Sequence, residues 1–87
     1  MPTPITLLYF AQLRETFGRS EEQLELPDDV KTVDELIQHL SQRGGIWQEQ
    51  LGGDKAFRVA LNQEMAPGHA LVPAHAEVAI FKPVTGG

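Results

Sequence analysis

Thr32–Gly45, TVDELIQHLSQRGG, holds the start signal, apolar stripe and stop signal of one amphipathic helix. Thr32 with Glu35 three residues on forms a capping box, in which each side chain bonds the other's backbone N–H. Val33, Leu36, Ile37 and Leu40 recur at i, i+3, i+4 and i+7, so they share one face. Asp34 and Glu35 lie at the positive end of the helix dipole and Arg43 at the negative end, and Gly44 can take the left-handed stop. A helix with a single apolar stripe must bury it against a second layer, which the rest of the chain has to supply.

On either side the spacing switches from helical to alternating. Upstream, ITLLYF (Ile5 to Phe10) is rich in strand formers, with Pro4 before it. If Ile5, Leu7 and Tyr9 face the helix, then Thr6, Leu8 and Phe10 face away. AQLRETFG reverts to helical spacing through Leu13 and Phe17, with Gly18 as its stop. EEQLELP alternates again, Leu24 and Leu26 inward, until Pro27 ends the pairing.

Downstream, IWQEQLGG reads as one more helical turn that lays Trp47 and Leu51 onto the domain. FRVALNQEM puts Val59 and Leu61 inside and Arg58 and Ala60 outside, with a turn near Asn62 and Gln63. EVAIFKP puts Val78 and Ile80 inside and Glu77, Ala79 and Phe81 outside. The expected fold is α+β: a small mixed sheet packed on one main helix, the β-grasp arrangement. The first strand is apolar on both faces, which places it centrally, and the first and last strands are expected as parallel neighbours there. Phe10 and Phe81 then point from the open face of the sheet.

Composition narrows the function classes. The 87 residues make one small domain, and 41% of them are hydrophobic. The absence of cysteine excludes disulfides, thiolate metal sites and a cysteine nucleophile. Twelve acidic against seven basic residues give a net charge of −5, which argues against nucleic acid and an anionic membrane as partners. No apolar run approaches the ~20 residues of a membrane span. The start carries no basic stretch or cleavage site of a secretory signal, so a cytoplasmic protein is expected. His39, His69 and His75 lack the paired i, i+4 spacing of a metal site and read as exposed side chains. Asp28 and Asp29 read as turn residues. The GGIW and LGGD stretches lack a phosphate-loop lysine and read as turns.

The sequence ends KPVTGG. Pro83 fixes its own backbone and extends Lys82, while Val84 and Thr85 are β-branched and favour extension too. Gly86 and Gly87 have no Cβ and can thread a channel too narrow for other residues. Residues 1–82 are expected as the folded domain and 83–87 as an extended tail. From Lys82 to Gly87 the chain can span about 20 Å. A carboxylate is a poor electrophile until a phosphate is attached: the Gly87 oxygen would attack the α-phosphorus of ATP and release pyrophosphate. A sulfur or amine nucleophile could then displace AMP. The ATP and magnesium site would have to belong to another protein.

LYFAQLRETFG near the start, LNQ in the middle and EVAIFKPVTGG at the end resemble the small subunits of molybdopterin synthase, ubiquitin-like sulfur carriers with the β-grasp fold. The resemblance covers the whole chain. It implies that Gly87 is adenylated by an activating enzyme, converted to a thiocarboxylate by a sulfurtransferase system, and inserted into the large synthase subunit. There the sulfur passes to cyclic pyranopterin monophosphate. The resemblance further implies a heterotetramer with catalytic side chains on the large subunit, no tightly bound cofactor and no metal, and ATP used only through the activating enzyme. Phe10, Arg14, Met65 and Phe81 fall where the family presents its docking surface, and Pro83, Val84, Thr85 and Gly86 form its tail. Lys82 stands where the family commonly carries a further proline. A non-covalent β-grasp interaction module, or a carrier feeding thiamine, cysteine or thiolated tRNA, is the alternative.

Overall fold

The computed structural model describes residues 3–52 and 57–82. The expected tail, Pro83 to Gly87, and part of the LGGD turn lie outside the described residues. Eight elements follow in order: β1 (Thr3–Tyr9), α1 (Ala11–Phe17), β2 (Glu21–Leu26), α2 (Val33–Ser41), α3 (Ile46–Leu51), β3 (Arg58–Leu61), β4 (Glu64–Met65) and β5 (Glu77–Phe81). The strands form one mixed sheet in the order β2-β1-β5-β3-β4. β1 and β5 are parallel and central, and each has an antiparallel neighbour on its other side.

α2 forms as its sequence demands. Thr32 Oγ1 accepts the Glu35 backbone N–H at 3.2 Å, and Glu35 Oε1 accepts the Thr32 N–H at 3.0 Å. Of the four N–H groups that a helix start leaves open, those of Val33 and Asp34 donate to the carbonyls of Ala70 and Gly68. The loop after β4 is thereby tied to the helix start, and Val72 N–H donating to the Lys31 carbonyl extends the seam. At the other end, Arg43 and Gly44 donate to the carbonyls of Leu40 and Ser41, so a tighter turn closes the helix before Gly44 takes φ +78°. Val33, Leu36, Ile37 and Leu40 are all buried, against Ile5, Leu7, Val78 and Ile80 of the central strands in one core.

The remaining alternations hold with instructive exceptions. Ile5, Leu7 and Tyr9 are buried, and Gly18 ends α1 at φ +70°. Asn62 and Gln63 both have positive φ, as a two-residue hairpin twisting with its strands requires. Ala60 and Ala79 do face away from the helix, yet each is only 8% exposed. They oppose one another across β3 and β5, and Met65 and Leu8 flank them in register. A methyl between larger cross-strand neighbours is covered on either face.

Candidate docking face and tail exit

The face of the sheet away from α2 carries an apolar band. In register across the strands, Leu8 on β1 pairs with Ala79 on β5, Ala79 with Ala60 on β3, and Ala60 with Met65 on β4. One step toward the tail, Phe81 ends β5 opposite Arg58. Phe10 follows β1 just beyond the Tyr9–Ile80 pair, so the two phenylalanines sit at the same end of neighbouring parallel strands. Phe10 is 47% and Met65 60% exposed. Phe81 is half-buried rather than open, so it is less freely exposed than simple alternation suggests. Exposed large apolar side chains grouped on one face are the usual mark of an interaction surface.

Local backbone fixes where Phe10 stands. It is the N-cap of α1 with extended geometry, and Ala11 after it takes φ +49°. That left-handed step turns the chain from strand to helix without a loop. The Phe10 carbonyl accepts the N–H groups of Leu13 and Arg14 at 3.1 and 3.4 Å. Arg14 is exposed one helical turn from Phe10. Phe10, Met65 and Phe81 thus share the open face, Met65 at the level of Leu8 and Ala79, while Arg14 is exposed on α1 one turn after Phe10.

Behind this end lies a polar clamp that local sequence patterns do not reveal. Glu22 on β2 accepts two hydrogen bonds from the Arg43 guanidinium, at 3.0 and 2.6 Å, and one from the Tyr9 hydroxyl at 3.0 Å. Arg19 adds an ion pair at 3.5 Å. Burial pushes the Glu22 carboxyl upward, but the Arg43 and Tyr9 hydrogen bonds outweigh it and hold the group below the usual carboxylate range. The Tyr9 hydroxyl is driven up by burial and by the adjacent Glu22 charge, so it stays protonated and donates. Arg43 also lies 4.4 Å over the Trp47 ring, which stacks on Phe17 at 3.9 Å. Trp47 is thus packed between α1 and the cation.

The described residues hold no group of three or more His, Cys, Asp or Glu placed to bind a metal. His69 and His75 are exposed and His39 is half-exposed. No helix among the described residues is long and apolar enough to cross a membrane.

An antiparallel-flanked parallel pair over one main helix, with an apolar open face beside the chain's exit, defines the ubiquitin-like β-grasp class. Residues 7–87 match the ThiS family, and the chain belongs to that family of ubiquitin-like sulfur carriers. The molybdopterin synthase sulfur carrier subunit of Haemophilus influenzae is 41% identical over 83 residues, 95% of this chain and 99% of that one. Its Escherichia coli counterpart is 38% identical over 84 residues, again 95% of this chain and 99% of the relative. Among solved structures, SAMP1 from Haloferax volcanii superposes with a TM-score of 0.78 at 26% identity, covering 97% of this chain and 99% of its own.

Proposed function

We propose that this chain is the sulfur carrier subunit of a molybdopterin synthase, with Gly87 as the residue that carries the sulfur. The reading rests above all on the near full-length identity to two proteins of that name, 41% and 38%. The family match running through Gly87 is consistent with it. In this reading the Gly87 carboxylate is ionised at neutral pH, since a terminal carboxyl has a pKa of about 3.5. It attacks the α-phosphorus of ATP in an activating enzyme; the bond to pyrophosphate breaks and an acyl adenylate forms. A sulfur nucleophile at the level of hydrosulfide, supplied by a sulfurtransferase, displaces AMP and leaves a thiocarboxylate. The carrier then docks on the large synthase subunit through Phe10, Arg14, Met65 and Phe81. Pro83, Val84, Thr85 and Gly86 lead the sulfur into its catalytic site, where cyclic pyranopterin monophosphate accepts it.

The division of labour follows from chemistry. The carrier contributes a carboxyl group on an arm and a face for recognition; nucleotide binding and catalysis belong to its partners. The test is intact mass after incubation with ATP, magnesium, the activating enzyme, a persulfide donor and a thiol reductant that releases its outer sulfur at the hydrosulfide level. Replacement of oxygen by sulfur adds about 16 mass units, as carboxyl activation followed by sulfur attack requires. The gain is expected in the full chain and not in one lacking Gly87. No gain, with an activating enzyme competent on another carrier, overturns the reading.

A further inference from the structure

The proposed docking face has a charge pattern as well as an apolar one. The chain has seven Lys and Arg residues and a net charge of −5, yet three of those cations gather at the tail exit. Arg58 pairs with Phe81 across β3 and β5, and directly opposed residues point to the same side of a sheet. Arg14 is exposed one turn from Phe10. Lys82 follows Phe81 where the chain leaves β5 and remains half-exposed. The acidic side chains of the same face lie along the β2 edge, where Glu21 is level with Leu8 and Glu25 with Pro4, and at the far end of β5, where Glu77 is level with Thr6; none of them is on the β3 side.

Ion pairing separates these three from the cations of the clamp. Arg19 and Arg43 are both engaged by Glu22. Among the described residues Arg14, Arg58 and Lys82 have no ion-pair partner. A protein with excess negative charge that keeps three cations without ion-pair partners near the exposed Phe10 and the half-buried Phe81 has locally positive charge on an acidic surface. Such a rim matches an apolar hollow bordered by carboxylates, because charges at the edge of an interface steer approach and fix register.

We infer that Arg14, Arg58 and Lys82 form a basic rim around Phe10 and Phe81 that pairs with carboxylates bordering the socket of the protein partner. The rim deepens the functional reading above and rests on it. Its role is orientation: apolar contact alone tolerates rotation of the sheet on its partner, whereas cations where β5 and β3 meet the rim and acids along the β2 edge and at the far end of β5 allow one direction.

The test uses the full chain and the large synthase subunit encoded in the same genome, with affinity and association rate measured from about 50 to about 500 mM salt, a range that strongly shortens the reach of surface charge. The variants are R14Q/R58Q/K82Q and, as a charge control away from the rim, K31Q. At low salt the triple variant is expected to bind about tenfold more weakly, chiefly through slower association, and the gap should close to about twofold at high salt. K31Q should match the parent throughout. Because the three side chains are exposed or half-exposed, thermal unfolding of the variants should match the parent. Equal weakening at all salt concentrations, or no weakening, overturns the rim and leaves the carrier reading in place. Tighter binding of the triple variant means that the rim faces cations, and also overturns it. Failure of the unsubstituted chain to bind the large subunit at any salt overturns the functional reading and the rim together.

Discussion

Glu22→Gln is the substitution whose consequences the structure specifies most closely. The side chain keeps its size while losing its charge, so the Tyr9 hydroxyl and Arg43 Nη1 can still meet an oxygen, but the amide nitrogen in place of Oε2 cannot accept from Arg43 Nη2. What disappears is charge assistance at two hydrogen bonds and the third bond itself. Lost charge assistance costs about 1 kcal/mol at each of two bonds and the lost charged bond about 2 kcal/mol, which gives roughly 4 kcal/mol for an enclosed site. The Glu22 side chain is 13% exposed but that of Arg43 is 28% exposed, so water recovers part of the loss. Halving the sum for solvent screening leaves about 2 kcal/mol. Urea unfolding followed by the fluorescence of Trp47, the single tryptophan and a direct neighbour of Arg43, measures it.

The pH dependence carries the sharper test. Because the folded-state pKa of Glu22 lies below its ordinary value of 4.5, the stabilisation is complete above that value. It fades as the pH falls through the lower folded value, where the native carboxylate takes up its proton. The parent should therefore exceed the Gln variant by a constant margin from neutrality down to the upper carboxylate range, and the margin should shrink below it. A margin under about 0.3 kcal/mol at neutral pH, smaller than ordinary surface effects, would mean that the clamp contributes only packing. A margin that does not change with pH would refute the charge argument itself.

Four other outcomes are expected. Thr32→Ala removes the acceptor for the Glu35 N–H and should cost about 1 kcal/mol, a fall of roughly 4–8 °C in the unfolding midpoint by calorimetry. Leu36→Ala empties a fully buried position between α2 and the sheet and should cost about 2–5 kcal/mol, enough to leave much of so small a domain unfolded by circular dichroism. Ala11→Gly relieves a left-handed alanine at φ +49° and should raise stability by about 0.5–1 kcal/mol, where glycine in an ordinary helical position lowers it. Met65→Ala, at 60% exposure, should leave unfolding unchanged yet weaken binding to the large synthase subunit by about tenfold in a titration, as loss of an interface anchor does.

Much of the fold is legible because its determinants are local. A capping box, a stripe at helical spacing and a left-handed glycine define α2 without reference to anything distant, and strand alternation assigns the buried sides of β1 and β5. The central place of β1 is legible for a further reason: a strand apolar on both faces has few places to lie except the middle of a sheet. The candidate face is only half legible. Alternation turns Phe10 and Phe81 outward, but register decides that Arg58 meets Phe81 and that Ala60 and Ala79 shelter one another. Register is a relation between segments separated by loops, and no single segment encodes it.

The Glu22 clamp is the clearest case of a long-range choice that local reading assigns elsewhere. Arg43 closes α2 at the end where a cation suits the helix dipole, a sufficient local role. The folded chain gives it a second one, because the turn after α2 brings it beside Trp47 and over the start of β2, within reach of a carboxylate 21 residues earlier in sequence. The two roles do not compete, since the guanidinium has donors enough for Glu22 and a face for the indole. Tyr9 joins them from the core strand whose next residue is Phe10. The clamp thus holds the end of the strand that carries Phe10, while Arg14, Arg58 and Lys82 have no ion-pair partner among the described residues. One group of charges is engaged in holding the platform, and the other is the group that the proposed rim assigns to recognition.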